Sequence, residues 1–138
     1  MAIIIYAWTT TFTTMQTGRA GALVIAENLV KTGKTHAYED RYEYTFNVTV
    51  RNIGSTEVSV VDVYLNGTKL EFDATSSQPS NLGHWVIKGS TGIWGDSVIS
   101  PGYAGLVSFR QILRKGYPCV IRVVTGQGAY SDISFYPP

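Results

Sequence analysis

Residues Met1–Val30 read MAIIIYAWTTTFTTMQTGRAGALVIAENLV, and how this stretch is read decides the fold. Only Arg19 and Glu27 carry a formal charge in it. As a secretory signal it is a poor match, because no basic residues precede the apolar run and no clear small-residue cleavage site follows it. As a complete transmembrane helix it is too short, since its strongly apolar part, Ala2 to Trp8, falls well below the roughly 20 residues a bilayer requires. Helical spacing of Ile5, Trp8, Phe12 and Met15, continued by Ala20, Leu23, Ala26, Glu27, Leu29 and Val30, predicts one long helix of about 45 Å. Its apolar residues do not keep to one stripe, so such a helix has to be buried on most sides. The threonines at positions 9, 10, 11, 13, 14 and 17 are mediocre helix formers in water but are tolerated in a packed bundle, where the hydroxyl bonds the carbonyl one turn back. Gly18, Ala20, Gly21 and Ala22 would let neighbouring helices approach closely. The alternative reading makes Ala2 to Trp8 an N-terminal strand and the threonine run a loop.

Beyond this stretch the pattern changes. Lys31 to Asp40 contains Gly33 where a helix would end and reads as a hinge, which divides the chain into an assembly helix (residues 1–34) and a globular part (residues 35–138). In the segment RYEYTFNVTVRN, Tyr42, Tyr44, Phe46, Val48 and Val50 alternate with polar residues, the clearest strand in the sequence. Glu57 to Leu65 predicts a second strand whose apolar set slips one position, as a bulge or a change of sheet would require. Asn66-Gly67 predicts a tight hairpin into Thr68 to Phe72. A serine-rich loop over residues 73–83 follows. Further strands are predicted around residues 84–88, 92–99, 104–112, 116–124 and 130–136. The fold class expected is thus a long N-terminal α-helix followed by an all-β antiparallel immunoglobulin-like sandwich of seven or eight strands.

The composition narrows function. Of 138 residues, charged ones make up only 15%, which suits an extracellular or assembled surface. Eleven basic and ten acidic residues are spread singly, with no clustered basic footprint for nucleic acid. Cys119, the single cysteine, lies in an apolar run and reads as an inert core residue. His36 with Glu39 and Asp40 has weak metal-ligand spacing, and solvated linker charge accounts for it better. No nucleophile elbow, phosphate loop or metal motif is present, so neither catalysis nor a cofactor or metal is expected. Trp85, Trp94, Tyr103 and Tyr117 could form a stacking platform, the basis for a carbohydrate-binding reading. Asn47-Val48-Thr49 and Asn66-Gly67-Thr68 are N-glycosylation acceptor motifs if the protein is exported.

Set together, IIIYAWTTTF, TFNVTVRNIGSTEVSVVDVYLNGTKL, SPGYAGLVSF and VIRVVTGQGAYSDISFYPP resemble the archaeal type IV pilin and archaeal flagellin superfamily. That resemblance implies a structural subunit of an extracellular filament serving adhesion or motility, with the sandwich coating the outside. Its helical core would pack Ile3, Ile4, Ile5, Tyr6, Trp8, Phe12, Met15, Leu23, Leu29 and Val30 against copies of the same chain. The partners implied are other copies, the membrane before assembly and a surface-layer protein. A second reading keeps the same plan but makes the chain a membrane-anchored archaellum stator-type protein, whose sandwich grips the surface layer.

Overall fold

The computed structural model describes residues 13–16, 22–73 and 77–138. Its eleven strands are β1 (Thr13–Gln16), β2 (Val24–Tyr38), β3 (Arg41–Asn52), β4 (Val58–Leu65), β5 (Thr68–Lys69), β6 (Glu71–Phe72), β7 (His84–Lys88), β8 (Val98–Ile99), β9 (Ala104–Arg114), β10 (Cys119–Thr125) and β11 (Tyr130–Phe135). One sheet runs β1-β11-β10-β4-β5, with β8 also on β4; the other runs β2-β3-β9-β7-β6. All pairs are antiparallel except β6 with β7.

The described residues contain no helix, so the long N-terminal helix is overturned where it can be seen. Residues 24–34, expected as its second half, run as strand into Tyr38 and pair along β3, Val24 opposite Asn52 and Lys34 opposite Tyr44. The reason lies in bulges. Val24 and Ala26 point into the core with the period of a strand, and Asn28, at φ 53°, then inserts an extra residue and shifts the phase. Leu29 therefore faces inward and Val30 outward, leaving buried residues at 24, 26 and 29. A two-residue step followed by a three-residue step imitates the spacing of a helix. Further register shifts fall before Gly33 and Tyr38. Along this edge strand they also disrupt the regular row of donors and acceptors that another chain could pair with.

Elsewhere local chemistry does what its residues dictate. Asn66 and Gly67, at φ 52° and 81°, supply the left-handed pair that a two-residue hairpin needs. The slip in β4 is a bulge: pairing with β10 shifts at Val124/Thr125, and Val61 turns out to solvent. The change of sheet comes one element later. Lys69 pairs with β4 and Glu71 with β7, so the segment expected as one strand over 68–72 crosses the sandwich edge at buried Leu70. The sequence pattern yields fewer strands than the eleven described because β1 and β2 fall in the stretch read as helix and the two-residue β5 and β6 read as one strand over residues 68–72.

Between the sheets lies one apolar core that includes Val24, Phe46, Trp85, Phe109, Ile121 and Phe135. Phe46 is its centre, with ring centroids 5.4 Å from Tyr44, 5.5 Å from Phe109 and 5.1 Å from Phe135. The sheets are also tied by polar bonds, from Ala26 N–H to Ser131 Oγ (3.0 Å) and from Tyr44 Oη–H to the Pro138 carbonyl (2.8 Å). Cys119 is buried, and desolvation pushes its thiol pKa up, which keeps it in the unreactive protonated form.

Gly89 marks the tightest backbone approach. A Cβ there would lie 2.6 Å from the carbonyl oxygens of both Asp96 and Val98. Gly89→Ala is expected to lower unfolding free energy by about 1–3 kcal/mol, the usual cost of overpacking. Urea denaturation checks this, and an unchanged midpoint would mean that the 89–98 loop gives way without strain.

Candidate interaction face

On β10 and β11 the inward residues Ile121, Val123, Ile133 and Phe135 are core, so by alternation Arg122, Val124, Tyr130 and Asp132 face out. Register then builds a row across three strands. Asp132 lies opposite Arg122, and Arg122 opposite Tyr64. Arg122 Nε donates to Asp132 Oδ1 at 2.7 Å and its Nη2 to Oδ2 at 2.9 Å, a bidentate pair that fixes the guanidinium plane. That plane sits 4.0 Å from the Tyr130 ring centroid. The bond to Asp132 also raises the Arg122 pKa, so the cation is permanent. Around this row Val120 and Val124 help to line a shallow cavity of about 570 Å³, bounded by Tyr64 and by Gly67 of the hairpin. Nearby, Lys69 reaches Asp62 at 3.2 Å on the same sheet.

Chemically this is a pre-set recognition surface. Aromatic faces, a held guanidinium and two valines offer stacking, directed hydrogen bonds and apolar contact together, the mixture that carries affinity at protein interfaces. Its arginine and tyrosine lose little side-chain freedom on binding, because each is already held by the other.

A second polar cluster latches a loop. Asp73 accepts from the Ser80 N–H and hydroxyl, both at 2.7 Å, and its other oxygen is 2.8 Å from His84 Nδ1. Burial alone would raise the Asp73 carboxyl, but the bonds from Ser80 and His84 outweigh it and hold the pKa below the ordinary range. Ser80 is turned to the carboxylate, so the three residues form a brace and not a nucleophile relay.

The residues singled out from sequence end up scattered. Ile3, Ile4, Ile5, Tyr6, Trp8 and Phe12 lie outside the described residues. Met15 falls in β1, opposite Ser131. Leu23 is half-buried, Leu29 is buried in the sandwich core and Val30 is 52% exposed, so these three do not share a helical face. Asn47 sits half-buried in mid-strand between β2 and β9, and Asn66 is exposed at the hairpin, where its Oδ1 accepts from the Val120 N–H at 2.9 Å. His36 donates to the Glu39 carbonyl at 2.9 Å, while Asp40 accepts from Arg114 at 2.6 Å, so that trio does not converge. The four-residue aromatic platform does not exist. Trp85 is in the core, and Tyr103 and Tyr117 flank opposite ends of the eleven-residue β9, roughly 35 Å apart along the strand.

Tyr64, Arg122, Tyr130 and Asp132 were not among the residues expected to act. Their outward alternation is readable, but the Arg122–Asp132 pairing depends on the β10–β11 register and becomes visible only in three dimensions.

No family model matches the chain, and no curated protein matches it. Among solved structures, the archaellum periplasmic stator protein FlaG from Sulfolobus acidocaldarius is similar at 19% identity and a TM-score of 0.45, over 75% of this chain and 97% of that one. The protein ycdA of Bacillus subtilis is similar at 14% identity and a TM-score of 0.48, over 89% of this chain and 38% of that one. These likenesses are of fold alone.

Proposed function

We propose that this chain is a β-sandwich of an archaeal cell envelope that works as an anchored, stator-type module, docking a surface-layer protein on its Tyr64–Arg122–Tyr130–Asp132 face. The observation that carries this reading is the burial of Val24, Ala26 and Leu29 inside the sandwich. A filament subunit would need the apolar residues of this stretch on a helix turned toward its neighbours. Here they are committed to the chain's own core, and the sandwich is the working part. Low charge and a half-apolar, aromatic outer face suit a protein partner better than a diffuse polyelectrolyte.

The test is co-sedimentation of purified full chain with isolated archaeal surface-layer sheets, beside an Arg122→Ala/Tyr130→Ala variant. Sheets should retain the native chain, and the variant should bind about 30-fold less, as expected when a buried Arg or Tyr anchor worth about 2 kcal/mol is removed. Filaments of the native chain under the electron microscope, or equal retention of both forms, would overturn the reading.

A further inference from the structure

Lys34, Arg41, Arg114 and Lys115 gather toward one end of the sandwich, where the β2–β3 turn, the β9–β10 turn and the residues after β11 come together, and Lys31, opposite Phe46 further along β2, extends the group along the sheet edge close enough for its charge to act on Lys34. Three backbone and side-chain bonds fix this junction. The Lys115 N–H donates to the Asp40 carbonyl at 2.9 Å, the Gly116 N–H to the Pro137 carbonyl at 2.8 Å, and Arg114 Nε to Asp40 Oδ2 at 2.6 Å. Asp40 also takes Arg41 at 3.6 Å, so its single negative charge is shared by two arginines. Glu39 is the other carboxylate in the turn.

Lys31, Lys34 and Lys115 are left over. Among the described residues, which include all ten carboxylate side chains, none of the three is in an ion pair. Lys34 Nζ is held 4.5 Å from the Tyr42 centroid and 5.9 Å from that of Tyr44. Desolvation there, and then the fields of Lys115 and Lys31, push its pKa down, as three crowded cations without a counter-ion require. Round this group Tyr38, Tyr117 and Tyr136 are 51%, 49% and 41% exposed. Arg41 lies 5.6 Å from the Tyr38 ring and Arg114 lies 3.8 Å from that of Tyr117.

We infer that this end of the sandwich rests on an anionic membrane surface, with Lys31, Lys34 and Lys115 on lipid headgroup phosphates and Tyr38 and Tyr117 at the headgroup level. Clustered lysines without carboxylate partners are attracted to anionic headgroups, and tyrosine favours the membrane–water boundary. The contact rests on the envelope reading only in requiring a membrane nearby, and it uses a different end of the molecule from the surface-layer face.

Vesicle co-sedimentation of the full chain tests it, with phosphatidylglycerol–phosphatidylcholine vesicles against pure phosphatidylcholine. The native chain should prefer the anionic vesicles, and salt should reduce that preference. A Lys31→Gln/Lys34→Gln/Lys115→Gln variant should lose about a hundredfold in partition to anionic vesicles and nothing on neutral ones. Its retention on surface-layer sheets should be unchanged, which separates this contact from the docking face and shows that the variant is folded. Equal binding of the native chain to both vesicle types, or undiminished anionic binding by the variant, would overturn the inference.

Discussion

Replacing Asn52 by Asp should cost about 3–5 kcal/mol of stability at neutral pH, the range for a buried charge left without a partner. Asn52 is fully buried and uses its whole amide: Nδ2 donates to the Thr56 carbonyl at 2.8 Å and to the Ile99 carbonyl at 2.9 Å, while Oδ1 accepts from the Gly54 N–H at 3.0 Å. Its backbone is engaged as well, donating to Tyr103 and accepting from Gly102, both at 2.9 Å. This one side chain therefore holds together the end of β3, the turn after it, and β8. An aspartate has the same shape but sets an anion against two carbonyl oxygens. Burial there raises the folded-state pKa of the carboxyl, and the sign of the pH effect follows. The penalty is small below the unfolded value of about 3.9, grows as pH rises toward the folded value, and is complete above it. Urea titrations of native chain and variant at several pH values measure it. A variant as stable as the native chain at pH 7 would mean that the Asn52 amide does not hold this junction.

Trp85→Ala is the other large effect, expected at about 3–5 kcal/mol. The indole is 1% exposed and sits in β7, with the half-exposed Phe72 ring 4.6 Å away on the neighbouring β6. A tryptophan on an exposed stacking platform could be removed with little loss of stability but at the expense of ligand binding. The core position requires the opposite, and the same denaturation experiment distinguishes them. A loss under about 1 kcal/mol would return Trp85 to the surface.

How legible this fold is depends on where alternation survives. Tyr42 to Val50 reads correctly as a strand because the pleat turns Tyr44, Phe46, Val48 and Val50 inward without interruption. Asn66-Gly67 reads correctly because few residue pairs tolerate that backbone. Residues 24–38 do not, since a bulge shifts the phase of the pattern, and a stretch with mixed spacing and few charges then looks like a helix apolar on most sides. The positive φ at Asn28 is a property of the folded backbone, and an asparagine there is only a weak hint of it. The crossing at Leu70 is hidden for a related reason, because two-residue strands are too short to show any period.

The candidate face is legible by halves. Alternation places Arg122 and Asp132 outside, and nothing in the one-dimensional pattern says that they meet. Pairing depends on the β10–β11 turn, where Thr125 closes on Ala129: its N–H and its hydroxyl both donate to the Ala129 carbonyl at 2.9 Å. That local closure sets Val124 opposite Tyr130, and each earlier pair follows from it. The basic end is hidden in the same way, because Lys31 and Lys34 are separated in sequence from Lys115 by most of the sandwich and meet only through the Asp40–Lys115 junction.

That residues 24–38 form a bulged edge strand of a self-contained sandwich is the claim on which the rest depends. Nuclear Overhauser spectroscopy of the isotope-labelled full chain tests it most directly. An edge strand in this register requires cross-strand contacts linking Val24 with Asn52, Ala26 with Val50 and Lys34 with Tyr44. Sequential amide–amide contacts and i to i+3 contacts through residues 24–34, with no contacts to β3, would mark a helix and contradict it.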